Sequence, residues 1–78
     1  MIKVKLFGLL RLNSGLKEAE IEAADVKTAF QALTVLAPQL SVKELSRCVV
    51  FINGKQGSKR SKLKDGDEVT ILSPVAGG

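Results

Sequence analysis

Apolar and polar residues alternate along the first strand-sized stretch of the chain. In Ile2-Lys3-Val4-Lys5-Leu6-Phe7, the residues Ile2, Val4 and Leu6 share one face, and Lys3, Lys5 and Phe7 share the other. Gly8 ends the pattern, and Asn13-Ser14-Gly15 reads as a turn. A second run of period two, Glu18-Ala19-Glu20-Ile21-Glu22-Ala23, turns Ala19, Ile21 and Ala23 inward and three glutamates outward. The two runs read as an antiparallel hairpin joined by a loop. The glutamates then share the outer face with Lys3 and Lys5, a favourable charge match across paired strands.

The period changes after Asp25, whose carboxylate suits a helix N-cap. Val26, Ala29, Phe30, Leu33, Leu36 and Ala37 recur at helical spacing and form one apolar stripe. Pro38 ends that helix, and residues 41–47 suit a short helical turn. Cys48-Val49-Val50-Phe51-Ile52 is a β-rich run closed by the hairpin dipeptide Asn53-Gly54, with a short strand expected near Gln56. Residues 58–64 read as loop, Asp65-Gly66-Asp67 as a tight turn and Glu68 to Leu72 as the last strand. This order predicts an α+β domain: a mixed four- to five-stranded sheet with one main helix packed on one face. With the first and last strands as parallel neighbours in the middle, it is a β-grasp, the ubiquitin-like architecture. The expected organisation is a β-grasp domain over residues 1–73 and a flexible C-terminal tail over residues 74–78.

Composition narrows the chemistry. Seventy-eight residues make one domain, near the lower size limit for folding alone. There is no His, Tyr or Trp, so no Ser–His or Cys–His nucleophile can be built. Phosphate-binding and dinucleotide-binding glycine motifs are missing too. The expectation is a protein that is not an enzyme by itself and binds neither metal nor cofactor. Cys48 has no intramolecular partner, which suits a reducing, cytoplasmic setting. Its apolar surroundings suit a small core residue better than a nucleophile. No apolar run is long enough to serve as a signal peptide or to span a membrane.

The net charge is +4, with the densest basic run at Lys55, Lys59, Arg60, Lys62 and Lys64. Two readings stand: a solvated loop, or a surface that steers an acidic partner. An RNA-binding module is a third class, but three Phe offer few stacking platforms and no nucleic acid partner is expected.

The chain ends in Gly77-Gly78 behind Ser73-Pro74-Val75-Ala76. A frayed end is the plain alternative, yet two glycines also make a thin strand that passes where any Cβ would block. The five residues from Pro74 extend roughly 17 Å at ~3.4 Å each, far enough to carry a carboxylate into another protein's active site.

Val4-Lys5-Leu6-Phe7-Gly8-Leu9-Leu10-Arg11 resembles the hydrophobic–Phe–Gly/Ala–x–hydrophobic–Arg opening of the molybdopterin synthase small subunit (MoaD type). Asn53-Gly54-Lys55 resembles the turn of that family. Leu63-Lys64-Asp65-Gly66-Asp67-Glu68-Val69, followed by Pro74-Val75-Ala76-Gly77-Gly78, is similar to its C-terminal signature. The chain thereby resembles the MoaD/ThiS ubiquitin-like sulfur carriers from end to end, and the molybdenum-cofactor branch more than the thiamine branch (ThiS type). Ser73 departs from the family, which usually has the first of two prolines there, and this predicts a less rigid exit from the sheet. The basic balance departs as well, many small subunits being acidic.

The resemblance implies a cycle. A ubiquitin-activating-type enzyme uses ATP to adenylate Gly78, and a sulfur donor converts the adenylate to a thiocarboxylate. The tail (Pro74, Val75, Ala76, Gly77) inserts into the large subunit of molybdopterin synthase, in a heterotetramer, and Gly78 gives its sulfur to a pterin precursor. The alternatives are a sulfur carrier for another pathway (thiamine thiazole, tungsten cofactor or cysteine) and a ubiquitin-like modifier that forms isopeptide bonds.

Alternation places Phe7, Phe51 and Leu72 on the outer face, a candidate partner patch. The other reading tucks Phe7 or Phe51 under a loop. The resemblance assigns partner contacts to the positions of Phe7 and Leu72, while Phe51 rests on strand phase alone. Asp65-Gly66-Asp67 is expected to be a structural turn, its alternative being an acidic contact to the adenylating enzyme.

Overall fold

Burial follows the alternation of the first strand. In the computed structural model, which describes residues 1–73, β1 (Ile2–Phe7) buries Ile2, Val4 and Leu6 and leaves Lys3 and Phe7 exposed. Seven more elements follow in chain order: α1 (Leu9–Ser14), β2 (Glu18–Ile21), α2 (Val26–Leu36), α3 (Val42–Ser46), β3 (Val49–Ile52), β4 (Lys55–Gly57) and β5 (Glu68–Leu72). The five strands form one sheet in the order β2-β1-β5-β3-β4. β1 and β5 are parallel, and the other three pairings are antiparallel. This is the expected β-grasp, with five strands.

The hairpin of β1 and β2 pairs Lys3 with Glu20 and Lys5 with Glu18, as the charge pattern anticipates. The connection is not a loop: α1 fills it, and Asn13 and Ser14 belong to that helix. Gly15 ends it with φ of 71° and donates its N–H to the Arg11 carbonyl, a left-handed C-cap that glycine accepts without strain. Only Leu10 of α1 is buried, so no apolar stripe announces so short a helix.

The Asp25 carboxylate accepts the Thr28 N–H at 2.8 Å and starts α2. Val26, Ala29, Phe30, Leu33 and Ala37 are buried against Ile2, Val4, Leu6, Val50, Val69 and Ile71 of the sheet. Leu36 corrects the expected stripe: it lies at the helix's flank and is 54% exposed. Residues 41–47 do form a turn of helix, α3, capped by the Ser41 hydroxyl and burying Leu45. The Cys48 run starts one residue late as a strand, at Val49. Val50 is buried, and Cys48 and Ile52 are half-buried against the core.

One polar knot holds the lower end of the sheet. Asn53 and Gly54 have φ of 51° and 86°, the paired positive values of a tight hairpin turn. The Asn53 carbonyl oxygen accepts the Glu68 N–H at 2.9 Å, and its amide donates to the Asp67 carboxylate at 3.0 Å. That carboxylate also accepts the Lys64 N–H at 2.8 Å, and Asp65 pairs with the chain's amino terminus. Asp65-Gly66-Asp67 is thus occupied as a turn, with Gly66 at φ of 91°.

The Lys64 N–H and then the Asn53 amide hold the Asp67 carboxyl below its ordinary 3.8. The folded protein therefore binds this proton less readily than the unfolded chain does. The resulting stabilisation is complete above the ordinary carboxylate range and is lost as the pH falls through it. Asp67→Asn should flatten the acid limb of a stability-versus-pH curve measured by urea denaturation. An acid limb identical to wild type would remove Asp67 from the account.

Candidate functional site

The described chain ends at Ser73, one residue beyond the central strand β5. Ser73 itself is tied to the β1–α1 corner. The Leu9 N–H, an otherwise unpaired donor at the start of α1, reaches the Ser73 hydroxyl oxygen at 2.7 Å. The same hydroxyl donates to the Phe7 carbonyl at 3.5 Å.

Gly8 makes the contact possible. Its φ of 69° and ψ of −141° lie in a region essentially reserved to glycine. A Cβ built there would collide with the Ser73 hydroxyl oxygen. The β1–α1 corner and the root of the C-terminal segment are therefore one packed unit. Neither residue stood out in the sequence as a functional position, although a glycine directly after a strand was a signal of a special backbone.

The outer face of the sheet runs beside this exit. In register across three strands lie Phe7, Leu72 and Val49, with Phe7 39% and Val49 38% exposed and Leu72 half-buried. The next row is Glu18, Lys5, Thr70, Phe51 and Gln56. Phe51 lies on the same face as Phe7 and Leu72, one row away from them, and is half-buried rather than exposed. The row of Phe7 gains Val49, which the sequence reading left out. On α1, directly after β1, Leu9 is 49% and Leu12 78% exposed. Lys5 reaches Glu68 at 3.5 Å on this face, an exposed pair that contributes little.

A cavity of about 480 Å³ opens on the other side of the exit, lined by Ser73, Leu9, Leu10, Cys48 and the α3 residues Lys43 and Glu44 among others. Its thiol is not primed for attack. Burial first, and then the charge of Glu44, raise the Cys48 thiol, and its Sγ lies 3.4 Å from the Glu44 carbonyl. Among the described residues no three His, Cys, Asp or Glu side chains come together to hold a metal ion. No helix among them is long and apolar enough to cross a membrane. Pro74, Val75, Ala76, Gly77 and Gly78, the expected inserting segment and reactive end, lie outside the described residues.

A single main helix on a mixed sheet, with the central strand ending at Ser73 beside an apolar strip, defines a ubiquitin-like β-grasp domain. The comparisons agree. The ThiS family profile matches residues 4–78, and the chain belongs to that family. No curated protein matches it.

Among solved structures, the small archaeal modifier protein 1 of Methanosarcina acetivorans is 30% identical and superimposes with a TM-score of 0.84, over 99% of this chain and 95% of that one. A chain of the BexX/CysO complex of Amycolatopsis orientalis is 27% identical with a TM-score of 0.77, all of both chains being covered. A chain of the complex of subunits 1 and 2 of the Helicobacter pylori molybdopterin-converting factor is 28% identical with a TM-score of 0.67, covering 99% and 97%. The fold is that of the ThiS/MoaD sulfur carriers, and two of these relatives are seen bound to partner proteins.

The Gly8–Ser73 contact gives a prediction. Gly8→Ala should destabilise the domain by about 2 kcal/mol, the cost of a side chain in a glycine-only backbone region. Ser73→Ala should cost less and speed hydrogen exchange at the Leu9 amide. Equal stability of Gly8→Ala and wild type in urea would show that the corner does not need glycine.

Proposed function

We propose that this chain is a sulfur carrier and the small, non-catalytic subunit of a molybdopterin synthase. The observation that carries the reading is the position of Ser73. It is anchored at the end of the central strand beside the apolar row of Phe7, Leu72 and Val49, so a partner seated on that row lies next to the start of the Gly-Gly segment. An α-carboxylate is ionised at neutral pH and is a poor electrophile until activated. An adenylating enzyme of the ubiquitin-activating type, working with ATP, would join the Gly78 carboxylate to AMP with release of pyrophosphate. A sulfur donor would then displace AMP and leave the thiocarboxylate. In the large subunit the Gly78 thiocarboxylate sulfur would bond to a pterin precursor, and water would then cleave the acyl carbon–sulfur bond, leaving the sulfur on the pterin and returning Gly78 to the carboxylate for recharging. The reactive group belongs to the main chain, which accounts for a sequence without catalytic side chains. The H. pylori likeness supports this branch, and the cytoplasm is the setting that fits it.

A second reading has its own support. The chain superimposes better on the M. acetivorans modifier protein than on the H. pylori chain. In that reading Gly78 ends in an isopeptide bond to a lysine of a target protein. The BexX/CysO likeness keeps sulfur delivery to another pathway as a variant of the first.

Incubation with ATP, the adenylating enzyme and a sulfide source should exchange one oxygen for sulfur at Gly78, read by intact mass and fragmentation. Deletion of Gly78, or Gly78→Ala, should leave the unfolding curve unchanged and abolish or severely slow the charging. Unchanged charging of the deletion variant would sink the mechanism, and gel-shifted conjugates linked through Gly78 would favour the modifier. Phe7→Asp and Leu72→Asp should fold normally and weaken binding to the large subunit by about tenfold or more, as losing a buried apolar anchor does. Full affinity in both variants would remove the apolar row from the interface.

A further inference from the structure

The basic segment is not a free loop. Lys62 bridges to Asp25, and three backbone bonds tie residues 59–63 to residues 24–27. The Val26 N–H donates to the Ser61 carbonyl at 3.0 Å, the Lys27 N–H to the Lys59 carbonyl at 3.2 Å, and the Leu63 N–H to the Ala24 carbonyl at 2.9 Å. These bonds fasten Lys59 and Arg60 beside Lys27 at the start of α2. The three cations border a cavity of about 290 Å³ whose other walls are Phe30, Val42 and Ser46. An adjoining cavity of about 270 Å³ shares Phe30, Ser46 and Lys59 and continues along Gln56, Gly57 and Ser58. Together they make a groove between the helical layer and β4, the edge strand of the sheet.

Charge is sorted across the sheet in the same sense. Residues 45–64 carry six cations and no carboxylate, against a net +4 for the whole chain, which leaves −2 for the rest. The opposite edge, β2, exposes Glu18 and Glu20 with Glu22 just beyond it. The groove therefore sits in the positive half of the molecule, with its cations already held together. Preorganised charge lowers the ordering cost of binding.

We propose that this groove is a second docking site, centred on Lys27, Lys59 and Arg60 rather than on the apolar row at the chain's exit, and that it takes an extended acidic segment of a partner protein. Three features select this occupant. Carboxylates of the segment complement Lys27, Lys59 and Arg60. Main-chain groups on the open side of β4 are available to pair with an extended peptide, as edge strands do. Nucleic acid fits less well because the one aromatic lining the groove, Phe30, is 1% exposed and offers a base no open face, while Phe7 and Phe51 lie on the outer face of the sheet. The cavity that Ser73 lines has none of the three cations and touches the groove only at Cys48, so a segment held by Lys27, Lys59 and Arg60 lies away from Ser73. The proposal stands on surface geometry and charge, and holds whichever chemistry Gly78 performs.

The test titrates the full-length, isotope-labelled protein with a synthetic peptide of alternating Glu and Leu. Amide shifts should map to Lys27, Ser46 and residues 56–60 and should weaken as salt rises. Lys59→Glu combined with Arg60→Glu should lower affinity by about tenfold or more, since it opposes like charges to the peptide. The variant should keep its unfolding midpoint and its charging at Gly78, which separates failure of this proposal from failure of the carrier reading. Shifts elsewhere, no shifts at millimolar peptide, or affinity unchanged in the double variant would each overturn it. Tighter binding of a single-stranded oligouridine than of the peptide would also overturn it.

Discussion

The parallel pairing of β1 with β5 is the constraint on which the rest depends. It sets Lys3 beside Glu68 and Phe7 beside Leu72, residues more than sixty positions apart in the chain. Parallel neighbours cannot be joined by a tight turn. The intervening chain must therefore cross the sheet, and α2 does so while burying Phe30 and Leu33 over the central strands. Because β1 and β5 are central, their inward residues Val4, Val69 and Ile71 are fully covered, and the hairpins on either side only extend the layer they begin.

That pairing also fixes what surrounds the exit of the chain. Running parallel, β1 and β5 end at the same edge, so the corner after β1 meets the residue after β5. Gly8 and Ser73 are that meeting point, and their contact is tight enough to exclude a methyl group. The apolar strip of Phe7, Leu72 and Val49 follows from the same register, since the last outward residues of the two central strands fall in one row. The exit of the chain and the apolar row are thus fixed by the same pairing.

Much of this was legible in the residues. Period two along β1 and β5, the Asp25 cap and the Asn53-Gly54 turn each carry a physical signature that tertiary context did not override. Where the reading failed, the signal was absent or shared. α1 buries only Leu10, too little for a period to show. Leu36 sits at a flank of α2 where helical spacing alone cannot tell core from solvent. The fastening of residues 59–63 to 24–27 is made by backbone groups, which are the same in every residue type. Phe51 was placed on the correct face, but its partial cover by neighbours depends on packing that alternation does not encode. The Gly-Gly end was prominent in the sequence and lies outside the described residues, so its role rests on chemistry and kinship rather than on observed geometry.

The central place of β5 has a consequence for the order of events during synthesis. Of the described strands it is the last to leave the ribosome, and until it emerges β1 and β3 lack the neighbour that joins them. The two halves of the sheet, β2 with β1 and β3 with β4, remain separate hairpins, each too small to be stable in water. A nascent chain therefore has no assembled row of Phe7, Leu72 and Val49, and a chain cut short before β5 never acquires one.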